Sequence, residues 1–582
     1  MAPIRYHIDP ELRHAHLYRV TLTVARPAAA QELSLPVWIP GSYLVREFAK
    51  NLQSLRAAQG GAALALEQID KHRWRARCRP GKPLVLTYEV AAHDSSVRAA
   101  WLDAERGFFN GACLCLRVHG QEDQPHELEI ERPRDAAGWL LATALSALRT
   151  ARSGFGSYRA RDYDELADCP VEMGPFWSAR FTVRGVAHRL VVTGAAPSFD
   201  GKRLARDARR VCEQTIAFWH GPGQRPPFDG YVFLLNAAHE GRGGLEHRNC
   251  TALICPRHDL PRLGEPQTSE GYAALLGLIG HEYFHAWNVK RLRPAEFARY
   301  DYARENYTEL LWFFEGFTSY YDDLLLRRAG LIDNAAYLRL LTQTINQVLQ
   351  TPGRHVQSVA QASFDAWIKY YRPDENTPNA TVSYYTKGAL VALCLDLALR
   401  RAGRATLDAV MRALWQRAKA GPMTEADLLA QLRALSGRDW RAEIEQWVHG
   451  TQELPLAELL AAHGIQLRAE PSQPAQRLGL RVQENNALHI RNVLRGGAAE
   501  AAGFMAGDEW LAVETPDGAL WRIHRLDDLP LYAGQAAQVI ALVARGQRLL
   551  RLPLTLPPVS AAGDTVRLDM ADAALAERWL KG

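Results

Sequence analysis

GHEYFHAWN at Gly280–Asn288 and TELLWFFEGFTSYYDD at Thr308–Asp323 are the stretches whose spacing calls for a chemical explanation. His281 and His285 are four residues apart, which in a helix puts both imidazoles on one face about a turn apart, the spacing that a single zinc ion needs. Glu282 follows the first of them but is rotated off that face. Its carboxylate can reach a water held at the ion without binding the ion, which is where a general base belongs. Glu315 lies in a run, Leu310 to Tyr321, that is apolar or aromatic on nearly every side, and a carboxylate buried there is costly unless an ion or partner sits beside it. Gly316, about 1 kcal/mol worse than Ala inside a helix, predicts a close neighbour. His281, His285 and Glu315 supply three ligands and leave a fourth position open, so the spacing predicts one catalytic zinc ion per chain.

Working outward, the 582 residues are too many for one core and imply several domains. Charged residues at 23% and hydrophobic ones at 47% are ordinary for a soluble globular chain, and a net charge of +5 with scattered arginines argues against a nucleic-acid partner. MAPIRYHIDPELRHAH lacks the apolar core of a signal peptide, and no membrane-spanning apolar run occurs, so a cytoplasmic location is expected. The eight cysteines read as buried thiols of a reducing compartment; Cys113 and Cys115 are expected to alternate across a strand.

Residues 1–168 alternate in the two-residue rhythm of half-buried strands (LYRVTLTVA from Leu17, LVLTYEV from Leu84, CLCLRVHG from Cys113), which predicts a β-sandwich-like N-terminal domain. PVWIPGSYLVREF, Pro36–Phe48, reads as a structured turn packed on a neighbour. Residues 169–304 form an α/β catalytic subdomain: a hairpin, a helix from Arg203, a buried strand from Asp229, and the zinc helix capped by Thr268 or Ser269. Between them, Gly243 and Gly244 precede Glu246, a carboxylate that either holds a substrate amino group or is a solvated turn residue. Residues 305–455 are chiefly helical, beginning with one helix over Glu305–Arg328. Asp322, two turns beyond Glu315, is either a hydrogen-bond partner of a ligand imidazole or a solvated residue. Tyr384 and Tyr385 open an apolar helix that can aim a phenol at a developing oxyanion. Residues 456–560 form a separate domain of short strands and a small helix, and 561–582 a tail of strand or helix.

HEYFHAWN followed by LWFFEGFTSYY resembles the gluzincin metallopeptidases, in particular the M61 glycyl aminopeptidase-like enzymes with a C-terminal PDZ domain. VWIPGSYLVREF, GGLEH, SYYTKGA and WVHGTQELP extend the resemblance over most of the chain. It implies a multidomain α+β fold: the β-rich domain, a thermolysin-like catalytic domain with a helical subdomain, and a PDZ-like domain. In the last, GGAAEAAGFMAGDEWLAV looks PDZ-like and Leu478, Gly479 and Leu480 resemble the carboxylate-binding loop. The resemblance also implies Tyr385, from the YxKG pattern of the related M1 enzymes, as the transition-state tyrosine, and Glu246, from their GAMEN pattern, as the amine anchor. Two departures stand out: thirty residues separate His285 from Glu315, more than in M1 enzymes, and His247 and Arg248 follow Glu246 in place of the M1 asparagine. The implied activity is removal of a small N-terminal residue, Gly or Ala, from peptides with a free N-terminus. The alternatives are a zinc endopeptidase, or an adaptor with an inert core whose PDZ-like domain binds a peptide C-terminus or only packs.

Overall fold

The computed structural model describes residues 2–558 and 565–582. The domain boundary expected at 560, and residues 561–564 of the expected tail, lie outside the described residues. The chain divides into two compact units: Met1–Asn306 with Ala329–Ile332 and Trp415–Met423, and Tyr307–Arg328 with Asp333–Leu414 and Thr424–Gly582. It is an α+β chain with a β-rich N-terminal region and a helical region. Among the described residues no helix is long and apolar enough to cross a membrane.

The first unit opens with an eight-stranded sheet in which Ile4–Leu12 runs antiparallel to Leu17–Val24 and parallel to His126–Ile130. Alternation along these strands buries Tyr6, Ile8, Tyr18, Val20 and Leu22 on one face, as period-2 patterning requires. Two four-stranded sheets accompany it. Val171–Gly174 pairs with both Gly107–Phe109 and Leu140–Thr143, so the N-terminal sheets reach past residue 168. Cys113 and Cys115 do not alternate across a strand: Gly111–Leu114 is one helical turn. A side chain at Gly111 would stand 2.2 Å from the Leu166 carbonyl oxygen, so close tertiary packing overrides the local pattern here. All eight cysteines are buried free thiols.

A five-stranded mixed sheet follows, made of β1 (Phe176–Val183), β2 (Val186–Thr193), β3 (Gly230–Ala238), β4 (Gly243–Glu246) and β5 (Cys250–Pro256). Their spatial order is β1-β2-β3-β5-β4, which puts β4 on the edge. Helix α1 (Gly201–His220) packs on β1, and α2 (Glu270–Phe284) packs on β4 and β5. Helix α2 starts at Ser269, whose hydroxyl accepts the Tyr272 N–H, and it buries Leu275, Leu276, Ile279, Tyr283 and Phe284.

In the second unit the expected single helix over Glu305–Arg328 is instead α3 (Leu311–Phe314) and α4 (Gly316–Arg328), with the residues before Leu311 outside the helix. The break is one residue wide, since Glu315 N–H still donates to Leu311 C=O and Ser319 N–H to Glu315 C=O. Helix α5 (Thr386–Arg401) lies against α4 and is buried almost throughout. Farther on, a sheet in the order Leu480–Gln483, His489–Val493, Glu509–Glu514, Gln538–Arg545, Arg548–Thr555 encloses its own core of Leu478, Leu480, Ile490, Trp510 and Val543. The tail contains both a strand and a helix. Val566–Met570 pairs with Ile465–Ala469, and Ala573–Leu580 lays Trp579 on α4, where its indole N–H donates to the Tyr320 hydroxyl at 3.0 Å.

Candidate active site

Helix α2 carries His281, Glu282 and His285 at its C-terminal end. The His285 Nδ1–H donates to the Asn288 carbonyl at 2.7 Å, which leaves the lone pair of Nε2 directed at His281 Nε2, 3.0 Å away. Two nitrogens on one tetrahedral zinc ion stand roughly 3.3 Å apart, so the pair is spaced to share an ion. His281 and His285 belong to the first unit and Glu315 to the second, and each offers one potential metal-ligand atom. Glu315 and His285 are buried and His281 is half-buried. Two imidazoles of this spacing fit a divalent metal ion, and a buried carboxylate is a donor of the type that completes such a set.

Glu282 is also buried, and edge strand β4 passes directly over it: a Cβ on Gly244 would stand 2.0 Å from Glu282 Oε1. Only glycine permits that approach. Arg98 holds the strand there by donating to the Gly244 carbonyl at 3.2 Å. Two residues on, buried Glu246 faces the turn that VWIPGSY forms. Gly41, with φ of +93°, brings its backbone so near that a Cβ would lie 2.5 Å from both Glu246 carboxylate oxygens. The turn at Pro40–Gly41 is thus one wall around this carboxylate.

On the second unit, Gly316 follows Glu315 and Gly388 belongs to YTKG. A Cβ on Gly316 would stand 2.5 Å from the Gly388 backbone, and one on Gly388 would stand 2.6 Å from the Trp312 carbonyl. The close neighbour expected at Gly316 is therefore the start of α5. Tyr385 precedes α5, and its phenol pKa is raised well above the usual value by burial and then by the nearby Glu315 carboxylate. Its ring stacks on Tyr384 at 4.8 Å. Asp322 lies half-buried on α4. Gly479, with φ of +71°, ends a short helix at Leu478 and leads into the edge strand beginning at Leu480.

The Peptidase M61 N-terminal domain family matches residues 5–175, and the M61 glycyl aminopeptidase family matches residues 274–391. A crystal structure of an aminopeptidase N family protein from Idiomarina loihiensis is 36% identical, with a TM-score of 0.93 over 100% of this chain and 100% of that one. The chain belongs to the M61 glycyl aminopeptidase family. As a member it is a metallo-aminopeptidase, a hydrolase of peptide bonds. A crystal structure of an M1 zinc metallopeptidase from Deinococcus radiodurans is 18% identical, with a TM-score of 0.46 over 78% of this chain and 94% of that one. No curated protein matches.

Sequence reasoning missed the group that anchors β4 in this M61 chain. Asp168 accepts the Arg248 backbone N–H at 2.8 Å, lies 3.2 Å from His247 Nδ1, and pairs with Lys290 Nζ at 2.6 Å. His247 and Arg248, the residues that depart from the M1 pattern, are therefore tied to an ion pair between half-buried Asp168 and buried Lys290. Burial alone would raise the Asp168 pKa, but Lys290 and then His247 outweigh it and hold the carboxyl well below its usual range. For Lys290 burial lowers the pKa, Asp168 raises it, and the net shift is upward. A depressed carboxyl contributes stability above its unfolded pKa of about 4, lost as pH falls through the folded value; a raised lysine contributes below about 10.4, lost as pH rises through the folded value. Asp168→Asn is expected to cost about 3–5 kcal/mol at pH 7, with the gap to wild type narrowing below about pH 4, as urea denaturation across pH will report.

Proposed function

We propose that the protein is a zinc-dependent aminopeptidase that removes a small N-terminal residue, Gly or Ala, from peptides. His281, His285 and Glu315 would hold the ion, which when bound supplies a Lewis acid that brings a water pKa towards about 7 and polarises the scissile carbonyl. The observation that carries this reading is the facing pair of imidazole nitrogens on α2, with the buried carboxylate of Glu282 beside them under β4. Glu282 takes the proton of the attacking water and returns it to the leaving amine. Tyr385 O–H donates to the carbonyl oxygen as negative charge develops there, a role supported by the Gly316–Gly388 contact that fixes Glu315 and Tyr385 together. Asp322 is the candidate for orienting a ligand imidazole.

Glu246 on edge strand β4, confined by Gly41, binds the substrate α-ammonium, while Gly243 and Gly244 present the backbone of that edge strand to the peptide. This makes cleavage start at the first residue. The preference for Gly or Ala rests on the description of the family and is tested with a panel of aminoacyl reporters. Glu246→Gln is expected to lose about 2–5 kcal/mol of transition-state binding for free-amine substrates, a fall in kcat/KM of roughly 30-fold or more. N-acetylated peptides should be poor substrates of wild type and little changed by this variant. Equal cleavage of acetylated and free peptides by wild type would instead identify an endopeptidase. Leu478, Gly479 and Leu480 open an edge strand in the C-terminal sheet, a geometry that suits a peptide C-terminus added as a further strand.

A further inference from the structure

An aromatic surface leads away from Tyr385 on the second unit. The Tyr385 ring meets two other phenol rings, Tyr384 at 4.8 Å and Tyr370 at 5.4 Å, and those two are themselves 4.8 Å apart. Exposure rises across the trio: Tyr384 is buried, Tyr385 half-buried and Tyr370 40% exposed. Glu315 is the charge that acts most strongly on the Tyr385 phenol. Tyr385 therefore has the candidate ligand Glu315 as one neighbour and an open aromatic ring as another.

The segment that carries Tyr370 exposes more apolar surface. The short helix Val359–Phe364 runs into a tighter turn, Asp365–Trp367, and the Ile368 and Lys369 N–H groups both donate to the Asp365 carbonyl, which keeps the segment coiled up to Tyr370. Trp367 is buried, whereas Phe364 is 45% and Ile368 58% exposed, and Tyr307, 44% exposed, stacks on Phe364 at 5.0 Å. The two charged residues between Phe364 and Tyr370, Asp365 and Lys369, pair with each other at 2.8 Å. What the segment offers to a ligand is thus apolar and aromatic surface, and large apolar groups grouped in water mark a binding surface. We infer, on the aminopeptidase reading above, that this strip holds the part of the peptide that follows the scissile bond, with Tyr370 against the second residue and Ile368, Phe364 and Tyr307 receiving later ones. A first residue of Gly or Ala has too little side chain to use a surface of this extent, so the strip serves the leaving portion. Apolar and aromatic side chains are its occupants, held by stacking and by area removed from water. The enzyme thus selects peptides by their second residue as well as by their first.

The test uses the full-length, metal-loaded protein and peptides of sequence Gly-Xaa-Ala, with Xaa as Phe, Leu or Ser, and measures the release of glycine. The kcat/KM for Phe and Leu is expected to exceed that for Ser by about ten-fold or more, carried chiefly by KM. Tyr370→Ser should bring the Phe and Leu values down to the Ser value, while Tyr370→Phe, which keeps the ring, should preserve the preference. A Tyr370 that only supports Tyr385 would, when changed to Ser, slow all three peptides by one factor, and that result would overturn the proposal. Should Tyr370→Ser fail to fold, Ile368→Ser carries the comparison on Gly-Ala-Xaa peptides, where a preference for Leu over Ser at the third position should be lost. Equal release of glycine from all three peptides by wild type would overturn the proposal and leave the aminopeptidase reading standing. No release from any of them with metal bound would overturn both.

Discussion

Glu282→Gln is expected to lower kcat/KM by about 10²–10⁴-fold while the bound metal stays stoichiometric. Glu282 is 4% exposed, so its side chain already occupies a shaped space between α2 and β4, and glutamine fills that space with nearly the same volume. What the variant loses is the ability to take a proton. His281, His285 and Glu315 are untouched, so metal analysis of the purified variant separates a lost base from a lost ion. Gly244→Ala approaches the same group from the other side. Its Cβ would stand 2.0 Å from Glu282 Oε1, and the side chain has to swing away. Displacing a reacting group by about 1 Å costs roughly 10²-fold, so kcat should fall by about that much with the base still present. Wild-type rates in Glu282→Gln would move the base to another residue, and wild-type rates in Gly244→Ala would show that Glu282 tolerates displacement.

The parts of this site that were legible in the sequence are those encoded by short spacing. Two histidines four apart, a carboxylate in an aromatic run, and glycines just before Glu246 each carry a local signal of spacing or composition. The bond from Asp168 to Lys290 and the contact of Gly41 with Glu246 carry none, because each joins residues more than a hundred positions apart and only the folded sheet brings them together. Pro40–Gly41 could be recognised as a turn but not as a wall for a particular carboxylate. The same limit explains Cys113: alternation in CLCLRVHG indicates a strand, whereas the approach of Leu166 to Gly111 imposes a helical turn. The tail had no periodicity that foretold its contacts. Trp579 finds its donor role only because Tyr320, which itself donates to Asp396 at 2.8 Å, sits on the helix after Glu315.

Gly316→Ala is expected to destabilise the protein and to reduce activity together, and the reason lies in what opposes the new methyl group. At Gly244 the obstacle is a side chain that can rotate. At Gly316 it is the backbone of Gly388, with the Gly388 carbonyl carbon and Cα both 2.5 Å from the ideal Cβ position. Neither helix can yield locally, since α5 is buried along nearly its whole length and α4 buries Phe317, Tyr320, Tyr321 and Leu324. Alanine is the better helix former by about 1 kcal/mol, yet overpacking a rigid contact costs typically 1–3 kcal/mol or more, so the sign is set by the clash. The two helices must move apart, and they carry Glu315 at the start of one and Tyr385 at the start of the other. Relative displacement of about 1 Å should lower kcat by roughly 10²-fold and weaken metal retention, measured by turnover and by chelator competition. Gly388→Ala, whose Cβ would meet the Trp312 carbonyl oxygen at 2.6 Å, should reproduce the effect from the opposite helix. A Gly316→Ala protein with unchanged melting temperature and unchanged kcat would show that the two helices accommodate a methyl group, and that the glycine pair does not set the distance between Glu315 and Tyr385.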